Sequence, residues 1–232
     1  MDSVSSKFLA LAKRVLDHHP IICDIGSRDA LEGIYLFQQL NAQEVHVFEP
    51  NPAAAKICRE NLAGFTDVNA SFNQVAVTDK TGQLKFYPVN PGLSENKDIG
   101  FSSLFRINPD YTKRRGQVVQ DEVIVEATTL DAYFSGKQSP DLLWVDVEGA
   151  ELEVLQGAAN ILNYVKLIHI EVSFRPMQIG KPLFWKIERF LAKENFTFYG
   201  FMEVSALRGF LYRHRLLPNL PWRLNAVFYR PN

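Results

Sequence analysis

A short apolar run that ends in two carboxylates and turns at once into a helical pattern constrains this chain more than any other feature. Leu142-Leu143-Trp144-Val145 is too short for a buried helix and bulky enough for an interior parallel strand. Asp146 and Glu148 follow, two apart, so extended backbone would point both to one face. After Gly149 the apolar spacing changes to three or four residues, through Leu152, Leu155 and Ala158, which predicts a helix closing on Gly157 or Asn160. In an open α/β sheet, ligands bind in the crevice beyond the carboxyl ends of the strands. An acid there can simply cap the helix and meet its dipole. Capping accounts for one of Asp146, Glu148 and Glu151, not for all three.

The same logic applies near the start. Ile21-Ile22-Cys23-Asp24-Ile25-Gly26 reads as a strand ending in Asp-x-Gly, a helix follows from about Ala30 to Leu40, and a second strand runs to Glu49 and stops at Pro50. Gly26 and Glu49 lie 23 positions apart, close to the roughly 20 between a phosphate-type glycine turn and a ribose-holding carboxylate. An ionised Glu is acceptor-only, suits two ribose hydroxyls and repels a 2′-phosphate. The turn itself, Gly26-Ser27-Arg28-Asp29-Ala30-Leu31-Glu32-Gly33, places charged residues where a dinucleotide loop has its second glycine. A pyrophosphate would fit poorly. Asp24 is better suited to a cationic ligand, such as the ammonium and sulfonium of S-adenosylmethionine.

With 232 residues and no Ser/Gly/Pro-rich linker, one domain over residues 1–232 is expected, opening with a helix within 1–19 capped by Ser5-Ser6. A net charge of -1 gives no global reason to bind nucleic acid. Cys23 and Cys58 have no metal-ligand spacing, and no metal site is assigned. The N-terminus lacks the basic and apolar regions of a signal peptide, and no run approaches a membrane span, so a cytoplasmic location is expected. A helix over about Pro52–Ala63 precedes Asn69–Asp79, which reads as one third strand; Gln83–Tyr87 and Glu122–Ala127 alternate as further strands. Between them, 88–120 is long, irregular and rich in Pro, Gly, Ser and Asn, which reads as a substrate lid or binding loop, or else as disordered chain; its basic cluster at Lys113-Arg114-Arg115 is a solvated face, with contact to an anionic substrate as the alternative, and such a lid would suit a saccharide or an anionic conjugate. Val165–Val172 is another buried strand, carrying His169 and ending at Glu171. Phe184–Leu191 is an amphipathic helix, and Phe196–Phe201 and Asn225–Arg230 form a terminal antiparallel pair. The basic, aromatic segment 204–223 is a connection over the sheet, with peripheral contact to a membrane surface or an anionic glycan as the alternative.

In Asp24-x-Gly26, Val47-Phe48-Glu49-Pro50-Asn51, Ala76-Val77-Thr78-Asp79-x-x-Gly82, Gly100-Phe101-Ser102-Ser103-Leu104, Thr129-Leu130-Asp131 and above all Asp146-Val147-Glu148-Gly149-Ala150-Glu151-Leu152-Glu153-Val154-Leu155-x-Gly157-Ala158, the chain resembles the FkbM-type branch of the class I S-adenosylmethionine-dependent methyltransferases. The resemblance runs from about Ile21 to Val172. It implies a Rossmann-like α/β fold: a seven-stranded, mainly parallel sheet with an antiparallel final strand and helices on both faces. It implies S-adenosylmethionine as cofactor, with Asp24, Gly26 and Ser27 at its methionine end, Glu49 and Pro50 at the ribose, the turn Gln74-Val75 facing the adenine, and Asp146 and Glu148 by the transferring methyl. Methyl transfer to a hydroxyl needs a positioned base. Asp146 or Glu148 is the candidate, with His169 and Glu171 in reserve, and the acceptor is a saccharide or natural product. The acidic pair binding a divalent cation is a subordinate alternative. Two rival functions are a nicotinamide-dependent oxidoreductase, which lacks its pyrophosphate turn here, and a non-catalytic glycan- or partner-binding module, for which Ser27-Arg28-Asp29 speaks.

Overall fold

Four parallel strands of this chain, Ile21–Ile25, Glu44–Phe48, Leu142–Val145 and Leu167–Ser173, are largely apolar and buried, and each is followed by a helix whose apolar side covers the sheet. In the computed structural model, which describes residues 4–95, 97 and 99–231 and the backbone alone of Arg115, α1 (Ser6–Val15) opens under the hydroxyl of Ser5, which accepts from Phe8 N at 3.2 Å. It leads through β1 (Ile21–Ile25), α2 (Leu31–Leu40) and β2 (Glu44–Phe48) to α3 (Pro52–Ala63), where Asn51 caps and proline stands in the first turn. There follow β3 (Ala70–Asn73), β4 (Ala76–Val77), β5 (Gly82–Phe86), α4 (Pro109–Arg115), β6 (Val123–Thr128), α5 (Leu130–Tyr133), β7 (Leu142–Val145) and α6 (Glu151–Gln156). The chain ends with β8 (Leu167–Ser173), α7 (Phe184–Lys193), β9 (Thr197–Phe201), α8 (Ala206–Arg213) and β10 (Arg223–Tyr229).

Among the described residues, seven strands form one sheet in the order β3-β2-β1-β7-β8-β10-β9. The first five are parallel, and β10 inserts antiparallel between β8 and β9. This is the α/β sheet with an antiparallel final strand that the sequence led us to expect. One face carries Phe8, Leu11, Ile34 and Cys58 from α1 to α3; the other carries Leu130, Val154, Ile187, Leu191 and Tyr212 from α5 to α8. The strand order reverses between β1 and β7, so the crevice that ligands favour opens above Ile25 and Val145.

Two expectations need correction. Residues 69–79 are not one strand: β3 ends the large sheet, and after Gln74-Val75 the chain turns away so that β4 pairs with β6 in a separate sheet ordered β4-β6-β5. The segment 88–120 is not irregular either. It contains a 3-10 turn (Ile99–Phe101) and α4, and it has its own apolar cluster of Val89, Phe101, Ile107, Tyr111 and Met177. Isolated bridges Tyr87↔Ser103, Val89↔Gln120 and Ile107↔Gln178 tie it down, so its high polar content forms turns around a small core. In 204–223, α8 buries Gly209 and Tyr212 while Leu207 and Phe210 remain exposed beside Arg208.

Candidate active site

Gly26 fixes how β1 meets β7. Its φ is +82°, and a Cβ there would lie 1.9 Å from the carbonyl oxygen of Asp146, so the two strand ends approach only because no side chain intervenes. The turn that follows is organised by Asp24, which is 1 % exposed. Its Oδ2 accepts from the Ser27 hydroxyl at 2.5 Å and from Gly33 N at 3.1 Å. A Cβ on Gly33 would come within 2.7 Å of that oxygen, so a second glycine lets α2 close on the acid. Burial pushes the Asp24 carboxyl up to about 7, against the pull of the Ser27 and Gly33 hydrogen bonds. The charged turn Ser27-Arg28-Asp29 therefore replaces glycine flexibility with internal hydrogen bonds. Its Arg28 adopts φ 57° and donates its backbone N–H to Glu49 Oε2 at 2.9 Å.

A first cleft begins at Glu49. It is lined by Ile25, Gly26, Glu49, Pro50, Val75 and Ser102, among others, and holds only about 50 Å³ of free volume. Glu49 Oε1 takes the N–H of Asn51 at 2.7 Å, and burial raises its carboxyl to about 7. Two backbone donors leave lone pairs on the carboxylate for ligand hydroxyls. Gln74 is absent from the lining: its exposed side chain accepts from Arg59 at 2.5 Å, because the turn between β3 and β4 points it outward, and Val75 alone faces the cleft.

A second cavity, about 390 Å³, adjoins the first and shares with it Gly26, Arg28, Gly100, Asp146 and Glu148. Asp24, Ser27, His169 and Glu171 also line it. Asp146 and Glu148 do converge, but not by strand alternation, since β7 ends at Val145. Glu148 sits at φ 52° and Gly149 at φ 130°, a left-handed turn that re-aims the Glu148 side chain. Such a conformation costs a side-chain-bearing residue about 1–2 kcal/mol. Ser103 Oγ holds it by donating to Glu148 O at 2.7 Å.

The carboxylates are met by cations from distant parts of the chain. Arg223 on β10 places one guanidinium nitrogen 2.7 Å from Glu148 and 2.9 Å from Glu171, and Gln178 Nε2 donates to Glu148 at 3.3 Å. Lys181, with no side-chain exposure, stands 3.3 Å from Glu151 and 3.6 Å from Glu171. Glu151 also caps the turn by accepting from Gly149 N at 2.8 Å, so the capping role falls to this acid. Asp146 is the exception: among the described residues it makes no ion pair, and its Oδ1 is buried without a hydrogen-bond partner. Burial, then Glu171 and Glu148, raise its carboxyl well above the usual range, with Arg223 opposing. Burial and Glu171 bring Glu148 up to about 7, with Lys181 and Arg223 opposing. His169 stacks on Trp144 at 3.5 Å, and burial lowers it to about 3, so it is a neutral ring.

Asp146, Glu148 and Glu171 offer oxygens within 4.8 Å of one another. The guanidinium of Arg223 already bridges two of the three, which is the place a divalent cation would take. Sequence reading missed Arg223, Lys181, Gln178 and Ser103. Only Ser103 fell in a motif, while Arg223 and Lys181 looked like ordinary solvated charges. His46 packs within the sheet, with Nδ1 3.1 Å from the Tyr133 hydroxyl.

The model of the methyltransferase FkbM domain matches residues 24–198. The chain is 34% identical over 165 residues to the 2-O-methyltransferase NoeI of Sinorhizobium fredii, covering 70% of this chain and 67% of NoeI. It is 28% identical over 162 residues to the methyltransferase sdnD of Sordaria araneosa, covering 61% of each. In structure it is similar to methyltransferase FkbM from Methylobacillus flagellatus, with TM-score 0.57, 12% identity, 92% of this chain and 44% of that one. The chain thus spans less than half of that protein. These matches leave no place for the oxidoreductase or the non-catalytic module. Two cavities that meet at an unpaired carboxylate, on this sheet and with this family match, lead to one identification: the chain belongs to the FkbM family of S-adenosylmethionine-dependent methyltransferases.

Proposed function

We propose that this methyltransferase methylates a hydroxyl oxygen of a saccharide or related polyhydroxylated acceptor, with Asp146 as the base. The observation that carries this reading is the junction of the two cavities at Asp146, the one carboxylate of its buried cluster with neither an ion pair nor a partner for Oδ1 among the described residues. The 2-O-methyltransferase named among its relatives supports an oxygen acceptor.

The residues fit the cofactor. Glu49 retains acceptor capacity for ribose hydroxyls, Pro50 and Val75 give apolar wall toward an adenine, and Asp24, Gly26 and Ser27 border the shared region where a cationic methionine end belongs. Ile99 and Gly100, from the turn Ile99–Phe101, line the first cleft together with Glu49 and Val75. When bound, S-adenosylmethionine supplies an electrophilic methyl. Asp146, at the wall the two cavities share, would accept the proton of an acceptor hydroxyl as that oxygen is methylated. Burial, then Glu171 and Glu148, raise its affinity for a proton, and Arg223 opposes them. Arg223 holds Glu148 and Glu171 as hydrogen-bond acceptors for neighbouring hydroxyls.

The test is release of S-adenosylhomocysteine with a panel of sugar acceptors, comparing wild type with Asp146→Asn. A base of this kind contributes about 10²–10⁴-fold, so kcat falls by that order while S-adenosylhomocysteine still binds. An Asn variant of full activity would remove Asp146 from the chemistry. Failure of the folded wild type to bind S-adenosylhomocysteine would end the cofactor assignment to these cavities.

A further inference from the structure

The second cavity extends past the wall it shares with the cofactor cleft, and that extension is acidic. Glu32, Glu171 and Glu203 line it together with two cations, Arg223, already engaged by Glu148 and Glu171, and Arg28, which stands 3.5 Å from Asp29 at the wall shared with the first cleft. Lys181 is buried behind the wall and does not line it. Glu203 accepts from Asn225 N at 3.0 and 3.1 Å and from Asn225 Nδ2, and it has no ion pair among the described residues. The basic residues expected to greet an anionic acceptor are elsewhere: Lys113 and Arg114 are exposed and absent from the lining, Lys113 pairs with Asp110 at 3.0 Å, and the Arg115 side chain lies outside the described residues. A second, independent feature is His169. It is 3 % exposed, lines the cavity, and has Nδ1 without a partner, so a neutral hydrogen-bonding edge stands unused in the wall.

We propose that this extension selects a cationic saccharide, one whose ring carries a protonated amine held at Glu203 and Glu171 while a hydroxyl meets Asp146. The inference rests on the methyl-transfer reading above and adds the charge of the acceptor. Six acidic residues against two arginines line the cavity, and a concave site with an excess of one sign focuses its field and attracts the opposite sign. A primary ammonium has three donors to share among carboxylate oxygens, and such charge-assisted hydrogen bonds are the strong ones. The Glu203 carboxylate retains acceptor capacity beyond its Asn225 bonds. The His169 edge would take a ring hydroxyl without adding charge. A phosphate or carboxylate on the acceptor would instead meet Glu171 and Glu203, where Arg223 is already engaged by Glu148 and Glu171.

The test is calorimetric titration of the protein saturated with S-adenosylhomocysteine, using a glucosamine tetramer, its fully N-acetylated form and a galacturonate tetramer. The amine form is expected to bind at least about ten-fold tighter than the acetylated one, with the uronate weakest and the advantage shrinking at high salt. Glu203→Gln, which keeps an oxygen for Asn225, should remove most of the advantage, while Glu60→Gln on the far surface of α3 leaves it intact. Equal binding of amine and acetylated forms, preference for the uronate, or no binding of the amine tetramer would overturn the proposal. Saturation with S-adenosylhomocysteine is measured first, so a failure of the cofactor reading shows at that step and a failure of the charge reading only afterwards.

Discussion

Replacing Lys181 with methionine should unbalance the acidic cluster from behind. Its side chain and that of Glu151 are wholly buried and that of Glu171 is 7% exposed, with separations of 3.3 and 3.6 Å. Removing one partner from a buried pair costs about 3–5 kcal/mol, because the remaining charge is left in a poor solvent. At about 2–4 °C per kcal/mol for a chain of this size, the melting temperature should fall by roughly 6–20 °C. The loss should depend on pH in a definite direction. Burial already raises the Glu151 carboxyl and Lys181 pulls it down, so Lys181→Met raises it further. An acid whose folded pKa exceeds its unfolded value costs stability as pH rises from the unfolded value, near 4.3, through the folded one. The deficit against wild type is therefore smaller at pH 5 than at pH 8, while the wild-type ammonium, whose pKa is itself raised by Glu151 and Glu171 against desolvation, stays charged throughout. Urea denaturation followed by tryptophan fluorescence at both pH values reads this directly. Adding Glu151→Gln, which retains the acceptor for Gly149 N, should recover part of the loss. A deficit under about 1 kcal/mol at pH 8, or an equal deficit at both pH values, would refute the reasoning.

Other outcomes follow from the same geometry. Gly26→Ala puts a Cβ 1.9 Å from Asp146 O at φ +82°, so S-adenosylhomocysteine affinity should drop at least about ten-fold; Gly82→Ala, at φ +119° with open space around it, carries backbone strain of about 1–2 kcal/mol alone and should leave affinity unchanged. Equal titration curves for the two variants would show that the β1–β7 approach does not shape the cofactor cleft. Glu49 is raised to about 7 by burial, and ribose hydroxyls bind its ionised form, so cofactor binding expels a proton: affinity should weaken by about ten-fold per pH unit as pH falls below 7. Glu49→Gln should flatten that slope, and a slope identical to wild type would place the titration elsewhere.

What the sequence by itself determined is whatever local periodicity and turn chemistry carry. The 142–158 stretch specified a buried strand, an acidic turn and a helix, because strand and helix periods differ and Gly149 and Gly157 punctuate them. Ile21–Glu49 likewise specified its βαβ unit and the position of Glu49 at a strand end. Tertiary structure decided the rest. The cations that neutralise the cluster come from other elements, Arg223 at 75 positions from Glu148 and Lys181 at 30 from Glu151, and no local pattern distinguishes a buried lysine from a solvated one. The left-handed turn at Glu148 depends on Ser103, 45 residues away, and the outward turn of Gln74 depends on β4 choosing β6 over β3. The basic cluster at 113–115 makes the same point: a side chain's sign is written in the sequence, while the surface it faces is set only when the sheet closes, and Lys113 and Arg114 stand outside the lining of the second cavity.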